Sequence, residues 1–422
     1  MVLRVEKSNT GGCVTIPGSK SHTIRALFFS SLAEGRSVIR NPLISNDALS
    51  ALKVCKAFGA EIENLGDRFE VKGFGGTPCT PEDIIDVGNS GTTLRFGLMT
   101  AGLNDGCTIF TGDYQTRRRP LGPLIEAMNS LGAEVFSTRA NGMAPVVVRG
   151  RLKGGRAELD AVTSQYLSSI LINSPLLEKD TELAIIRLNE VPYVEMTLWW
   201  LDRFGIKYKN DSFNSFLIKG GQNYRPFNIT IPGDFSSATF FMVLAAISGA
   251  EFLLKNLDMS DPQGDKQVLS FLEGMGARVE HREDGILIKG DRLKGMEIDM
   301  NSTPDALPAM AVAGCFADGE TRLLNVPQAR LKETDRIHVM CIELKKMGAD
   351  IEELPDGLVI RNSRLKGCAV NGHDDHRVVM ALTVAGLNSD GCTAIDTAEA
   401  MNVTFPEFPD LIRSCGGNIE II

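Results

Sequence analysis

Leu131-Gly132-Ala133-Glu134-Val135 reads as the end of an amphipathic helix, a glycine and the opening of a strand, and the chain repeats that transition five more times. The echoes are Phe58-Gly59-Ala60-Glu61-Ile62, Phe204-Gly205-Ile206-Lys207-Tyr208, Met275-Gly276-Ala277-Arg278-Val279, Met347-Gly348-Ala349-Asp350-Ile351 and Cys415-Gly416-Gly417-Asn418-Ile419. Their glycines recur roughly every 70 residues, a period that suits self-sufficient layered units rather than thin solenoid turns. Each glycine is predicted to cap its helix in a left-handed conformation, which lets the chain reverse into a strand beside that helix.

Upstream of each ending lies another helix pattern, so one unit reads as strand, helix, strand, helix, strand, strand. Ile16-Pro17-Gly18-Ser19 and the helix after it are matched by Ile231-Pro232-Gly233-Asp234-Phe235-Ser236-Ser237-Ala238 and an apolar helix running to Ala246. Three units follow each Pro-Gly corner. The prediction is an α/β protein of two domains, each with three βαβαββ repeats: one over 17–231, the other made of 1–16 plus 232–422. The chain crosses twice, and residues near 16–20 and 231–236 are expected to border a cleft where ligands bind.

Composition narrows the function. The 422 residues are 43% hydrophobic and 23% charged, enough for more than one core. A net charge of -9 and a pI near 5.3 disfavour a general electrostatic grip on nucleic acid or on an anionic membrane, so any anion site is local. Nine cysteines without a C-x-x-C pair, and five histidines without H-E-x-x-H, point to free thiols in a reducing compartment rather than to disulfides or structural zinc. The first residues already read as a strand and no apolar run reaches membrane-spanning length. A cytoplasmic protein, monomeric and without nucleic-acid or membrane partners, is the expectation.

Several stretches carry candidate chemistry. Lys20, Ser21 and Arg25 stand at a helix start behind the first Pro-Gly corner, where first-turn N–H groups and the helix dipole favour a phosphate or carboxylate. Gly88-Asn89-Ser90-Gly91-Thr92-Thr93-Leu94-Arg95 is a small-residue loop entering an apolar helix. It allows close backbone approach, but it is neither a Walker loop nor a dinucleotide fingerprint. Arg117-Arg118-Arg119 runs without an adjacent acid into Pro120-Leu121-Gly122, and Thr163-Ser164-Gln165-Tyr166 places hydroxyls and an amide at another helix start. Downstream, Asp305 fronts an apolar helix, Arg330-Leu331-Lys332-Glu333-Thr334-Asp335-Arg336 is a charge run in which a helix would put Lys332 and Arg336 on one face with Glu333 projecting beside them, and His376-Arg377 opens one more helix. Each stretch alone is also explained by capping or a solvated face. Together, cations divided between two domains and isolated carboxylates suggest an enzyme that closes on small acidic substrates.

In order, PGSKSHTIRAL, GNSGTTLR, RRRPLG, TSQY, PGDFSSA, PDA, RLKETDR and DDHR resemble the 5-enolpyruvylshikimate-3-phosphate synthase family over essentially the whole chain. That resemblance implies the enolpyruvyl transferase fold, an inside-out α/β barrel in each domain. It also implies transfer of the carboxyvinyl group of phosphoenolpyruvate to the 5-hydroxyl of shikimate 3-phosphate, with release of phosphate and without metal or organic cofactor. By the same resemblance Asp305, Glu333, Lys20 and His376 are the catalytic groups. Asp305 takes the 5-hydroxyl proton, Glu333 handles the methylene proton, and Lys20 with His376 supports both transfers. Shikimate 3-phosphate falls to Lys20, Ser21, Arg25, Thr163, Ser164, Gln165, Tyr193, Gln328 and Lys332. Phosphoenolpyruvate falls to Lys20, Asn89, Gly91, Arg119, Gln165, Arg336 and Arg377.

Two positions depart from the family pattern. Glu190 stands just before Val191-Pro192-Tyr193, where the family has a serine on the acceptor's phosphate, and Val403 replaces a lysine ahead of Thr404-Phe405-Pro406. They motivate an alternative, a related enolpyruvyl transferase acting on another carbocyclic alcohol that lacks the phosphate.

Overall fold

A computed structural model describes all 422 residues and repeats one unit six times. Each of its six four-stranded sheets has the same plan, a parallel pair extended by two antiparallel strands, which form a hairpin in five of them and are Leu3–Glu6 and Asn418–Ile421 in the sixth. In one of them Gly155–Ala161 runs parallel to Thr181–Leu188, which pairs antiparallel with Ser215–Ile218, and Ser215–Ile218 pairs with Tyr208–Asp211. Burial alternates along Ser215–Ile218, with Phe216 and Ile218 inside, so one face of the sheet meets the core and the other meets solvent.

Two helices complete every unit. Lys20–Leu32, Gly91–Ala101, Ser164–Asn173, Phe235–Ser248, Leu307–Phe316 and His376–Leu387 are buried nearly all round. Their sequences, such as FSSATFFMVLAAIS over Phe235–Ser248, lack the polar face a surface helix needs. The alternate helices expose one side and run into the repeated glycines. Those glycines have the positive φ expected of them: 104°, 109°, 66°, 111°, 94° and 88° at Gly59, Gly132, Gly205, Gly276, Gly348 and Gly416. Buried helices inside one-sided sheets give the inside-out α/β architecture.

Residues divide into two compact units, Lys20–Ile231 and Met1–Ser19 with Pro232–Ile422. Strands distant in sequence close each of them. In the first unit Asn228–Thr230 forms the parallel edge beside Glu34–Arg40. In the second, Leu3–Glu6 lies between Cys392–Asp396 and Asn418–Ile421, while Gly12–Thr15 flanks Glu251–Lys255. Both Pro-Gly corners belong to this closure. Gly18 bridges Gly233, the Ser19 N–H donates to the Pro232 carbonyl at 2.8 Å, and the Asp234 N–H donates to the Pro17 carbonyl at 2.9 Å. A Cβ at Gly233 would sit 2.2 Å from the Asn256 carbonyl oxygen, so no larger residue fits that corner. No helix is long and apolar enough to cross a membrane.

Candidate active site

Helix starts gather the polar groups in the first unit. Thr163 is an extended N-cap whose hydroxyl accepts from the Gln165 N–H, the geometry expected of a threonine ahead of a helix. Its hydroxyl also donates at 3.1 Å to Glu190 Oε2. The Ser164 N–H reaches the same oxygen at 3.1 Å and the Ser164 hydroxyl reaches it at 2.7 Å. Gln165 keeps a buried Oε1 without a hydrogen-bond partner. Arg25 reaches in from the Lys20–Leu32 helix, donating to the Thr197 hydroxyl at 2.9 Å, the Tyr193 carbonyl at 2.8 Å and the Ser168 hydroxyl at 3.4 Å. Burial pulls its guanidinium down to about 10, so it stays charged at neutral pH. Ser21 is half-buried one turn earlier and offers its carbonyl to Arg25 at 3.2 Å. Lys20 meets Asp47 at 3.2 Å.

The arginine run splits. Arg117 and Arg118 face outward, whereas Arg119 turns in and packs against Gly91. A Cβ at Gly91 would lie 2.3 Å from Arg119 Nη1 and 2.8 Å from Arg95 Nη1. Arg95 itself is fixed by the Gly91 carbonyl at 3.0 Å and the Pro120 carbonyl at 3.2 Å. Asn89 donates to Asp113 at 2.6 Å and to Gln115.

In the second unit the charges form one network. Arg336 donates to Asp305 at 2.8 Å, to Glu333 at 2.6 Å and to both oxygens of Asp375 at 2.8 and 3.2 Å. Burial works to lower the Arg336 pKa, but the carboxylates of Asp375, Glu333 and Asp305 outweigh it and hold the guanidinium above its ordinary value. Asp305 is also met by Arg377 at 2.9 Å and Lys332 at 3.7 Å, so three cations converge on one carboxylate. His376 is buried with Nδ1 4.0 Å from Asp375. Gln328 donates to the Asn301 carbonyl at 3.0 Å and keeps a buried Oε1 without a hydrogen-bond partner.

One expectation is corrected. Lys332 does not share a helix face with Arg336, and Glu333 does not project from a helix beside them, because the helix begins at Arg336 and both lie in the bend ahead of it. Asp335 caps that helix by accepting from the His338 N–H. The charges meet through the bend instead.

Four acidic residues near these groups, Asp47, Asp234, Asp265 and Asp375, were given no role in the sequence reading, although Asp234 and Asp375 stand in stretches it quoted. Asp234 and Asp375 carry a readable signal, since each stands two residues before the N–H it caps, Ser236 and Arg377. Asp265 has none. It accepts from the Ser236 hydroxyl, and its carboxyl is pushed up to about 6, chiefly by burial and then by Asp305, against the pull of Arg377. The folded protein therefore holds this proton at a pH where the unfolded chain, with its ordinary 3.8, has lost it. The stability Asp265 contributes is fully present below 3.8 and is lost as pH rises through about 6. Asp265→Asn is expected to flatten the decline in melting temperature between those values, checked by thermal melts of both proteins across that range.

Comparison with known proteins gives the family. Residues 5–412 match the family model described as EPSP synthase (3-phosphoshikimate 1-carboxyvinyltransferase). The chain is 70% identical over 420 residues to the 3-phosphoshikimate 1-carboxyvinyltransferase of Acetivibrio thermocellus, covering all of this chain and 99% of that protein. It is 66% identical over 422 residues to the one from Ruminiclostridium cellulolyticum, with both chains covered in full. Among solved structures, an EPSP synthase from Acinetobacter baumannii superposes with a TM-score of 0.83 at 30% identity, covering 99% of each chain.

Proposed function

The chain belongs to the EPSP synthase family and transfers the carboxyvinyl group of phosphoenolpyruvate to shikimate 3-phosphate, and from that membership we propose how its residues divide the work. Asp305 removes the proton of the acceptor's 5-hydroxyl. Glu333 delivers a proton to the methylene carbon as C2 becomes electrophilic, and takes one back when the tetrahedral adduct expels phosphate. Lys20 and His376 support these transfers and offset phosphate charge. Thr163, Ser164, Gln165 and Lys332 hold the acceptor, with Ser21, Arg25, Tyr193 and Gln328 around its ring. Asn89, Gly91, Arg119, Arg336 and Arg377 hold phosphoenolpyruvate together with Lys20 and Gln165.

The observation that carries this reading is Asp305 itself, with Arg336 at 2.8 Å, Arg377 at 2.9 Å and Lys332 at 3.7 Å. Cations so placed are the groups an anionic substrate draws on, beside the carboxylate that takes the hydroxyl proton. The test is phosphate release from phosphoenolpyruvate. One phosphate per carboxyvinyl ether formed with shikimate 3-phosphate is expected, and no release at saturating substrate would overturn it. A different acceptor, which Glu190 and Val403 suggested, finds no support among the relatives. Nine free cysteines support a reducing, cytoplasmic setting. We take the enzyme to act as a monomer, which light scattering checks.

Gly91→Ala tests the phosphoenolpyruvate assignment. Gly91 lacks a positive φ, so alanine suits the backbone. Arg95 is held by two carbonyls, which leaves Arg119 as the side chain that yields. The KM for phosphoenolpyruvate is expected to rise about tenfold, an effect of about 1.4 kcal/mol, with the acceptor's KM unchanged. Steady-state kinetics with each substrate varied in turn checks it.

A further inference from the structure

Glu190 is a buried acid to which the reaction gives no role. Its side chain is 1% exposed and its backbone is left-handed, with φ 60° and ψ 43°. It sits in the turn between the strand Thr181–Leu188 and the helix Val191–Arg203. Backbone bonds pin that turn: the Asn189 N–H donates to the Ala161 carbonyl at 3.2 Å, and the Tyr193 N–H donates to the Glu190 carbonyl at 3.1 Å. From there Oε2 accepts the Thr163 hydroxyl, the Ser164 N–H and the Ser164 hydroxyl within 3.1 Å. Three donors converging on one oxygen at a helix start make an anion-holding arrangement. A carboxylate of the chain itself fills it.

We propose that Glu190 is an internal stand-in for the acceptor's phosphate, and that its competition for Thr163 and Ser164 sets the affinity and selectivity for the phosphorylated acceptor. The inference rests on the assignment of Thr163 and Ser164 to that phosphate. Each of the three donors has one proton to give, which cannot serve carboxylate and phosphate at once. Two anions sharing a buried corner also repel each other. The carboxylate therefore holds the donors in place while the site is empty and turns away when the acceptor binds. Only the fraction of molecules with the side chain turned away is competent for phosphate, which weakens the apparent affinity by that fraction. An acceptor without phosphate makes no claim on these donors and escapes the competition.

Calorimetric titration of the full chain with shikimate 3-phosphate and with shikimate separates this from a structural role. Glu190→Ser removes the carboxylate and leaves a hydroxyl. Glu190→Gln keeps the shape and an acceptor oxygen but drops the charge. In both, the affinity for shikimate 3-phosphate is expected to rise about tenfold or more while that for shikimate stays within about threefold, a change in selectivity near 1.4 kcal/mol. Glu190→Gln decides the matter if the serine variant does not fold. Affinities for the two ligands that move together, or an unchanged or weaker affinity for the phosphorylated one, overturn the proposal. A separate control tests the assignment beneath it. If Thr163→Ala with Ser164→Ala leaves the selectivity of the Glu190→Gln protein untouched, the phosphate binds elsewhere and the proposal falls with that assignment.

Discussion

Replacing Asp305 with asparagine is expected to lower kcat by about a thousandfold while both KM values stay within about threefold, the signature of a lost proton acceptor. Asparagine matches the carboxylate in shape, and its oxygen still accepts from Arg336 or Arg377, which lie 2.8 and 2.9 Å from Asp305. It cannot take a proton. The buried Arg336 also retains Glu333 and Asp375 as counter-charges, so the network stays paired and the fold is preserved. Steady-state kinetics beside a thermal melt checks both halves. A fall in kcat of less than about tenfold would assign the 5-hydroxyl proton to another group.

Arg336→Met is expected to cost about 3–5 kcal/mol of stability, because it takes the guanidinium from the fully buried Asp375, while Asp305 keeps Arg377 and Lys332. Arg336 and Asp375 are essentially without solvent contact, and Asp305 and Glu333 are mostly enclosed. Methionine fills much of the arginine's volume, so the loss isolates charge from packing. Arg336→Lys keeps one positive charge but cannot reach three carboxylates in one plane, and it should fall between the two. Denaturant melts give the ranking. The second unit, which holds the whole network, should unfold first and make the methionine variant's transition depart from two-state behaviour. Equal stability of methionine variant and parent would mean that the carboxylates are neutralised some other way.

The architecture was legible because it depends on local rules written six times. A glycine that must adopt positive φ, an apolar helix with no polar face and a Pro-Gly corner each mark a short segment, and repetition removes their ambiguity. Strand donation was less legible: Asn228–Thr230 pairs with Glu34–Arg40 across a separation that no periodicity spans. The site divides in the same way. Lys20, Gly91, Ser164 and Arg377 stand at helix starts, which sequence marks with small, hydroxylated or charged residues. What sequence could not supply was partnership. Nothing near Arg336 in the chain announces Asp305 or Asp375, 31 and 39 residues away, and only the family resemblance, not the residues around Ser164, brought Glu190 toward the same ligand. The bend that carries Lys332 and Glu333 was misread for a related reason: a dense run of charges has helical spacing whether or not Asp335 has already started the helix downstream of it.

The proton bookkeeping assigned to Glu333 and Asp305 has one direct readout. For the methylene carbon of phosphoenolpyruvate to gain a proton, form the bond from C2 to the acceptor oxygen and then lose a proton as phosphate leaves, it must pass through a methyl group. A mass spectrum of the carboxyvinyl ether made in D2O should show deuterium in the vinyl methylene, with the label and the product both lost in Glu333→Gln. Product formed at the normal rate with only protium at that carbon would contradict the proposed chemistry.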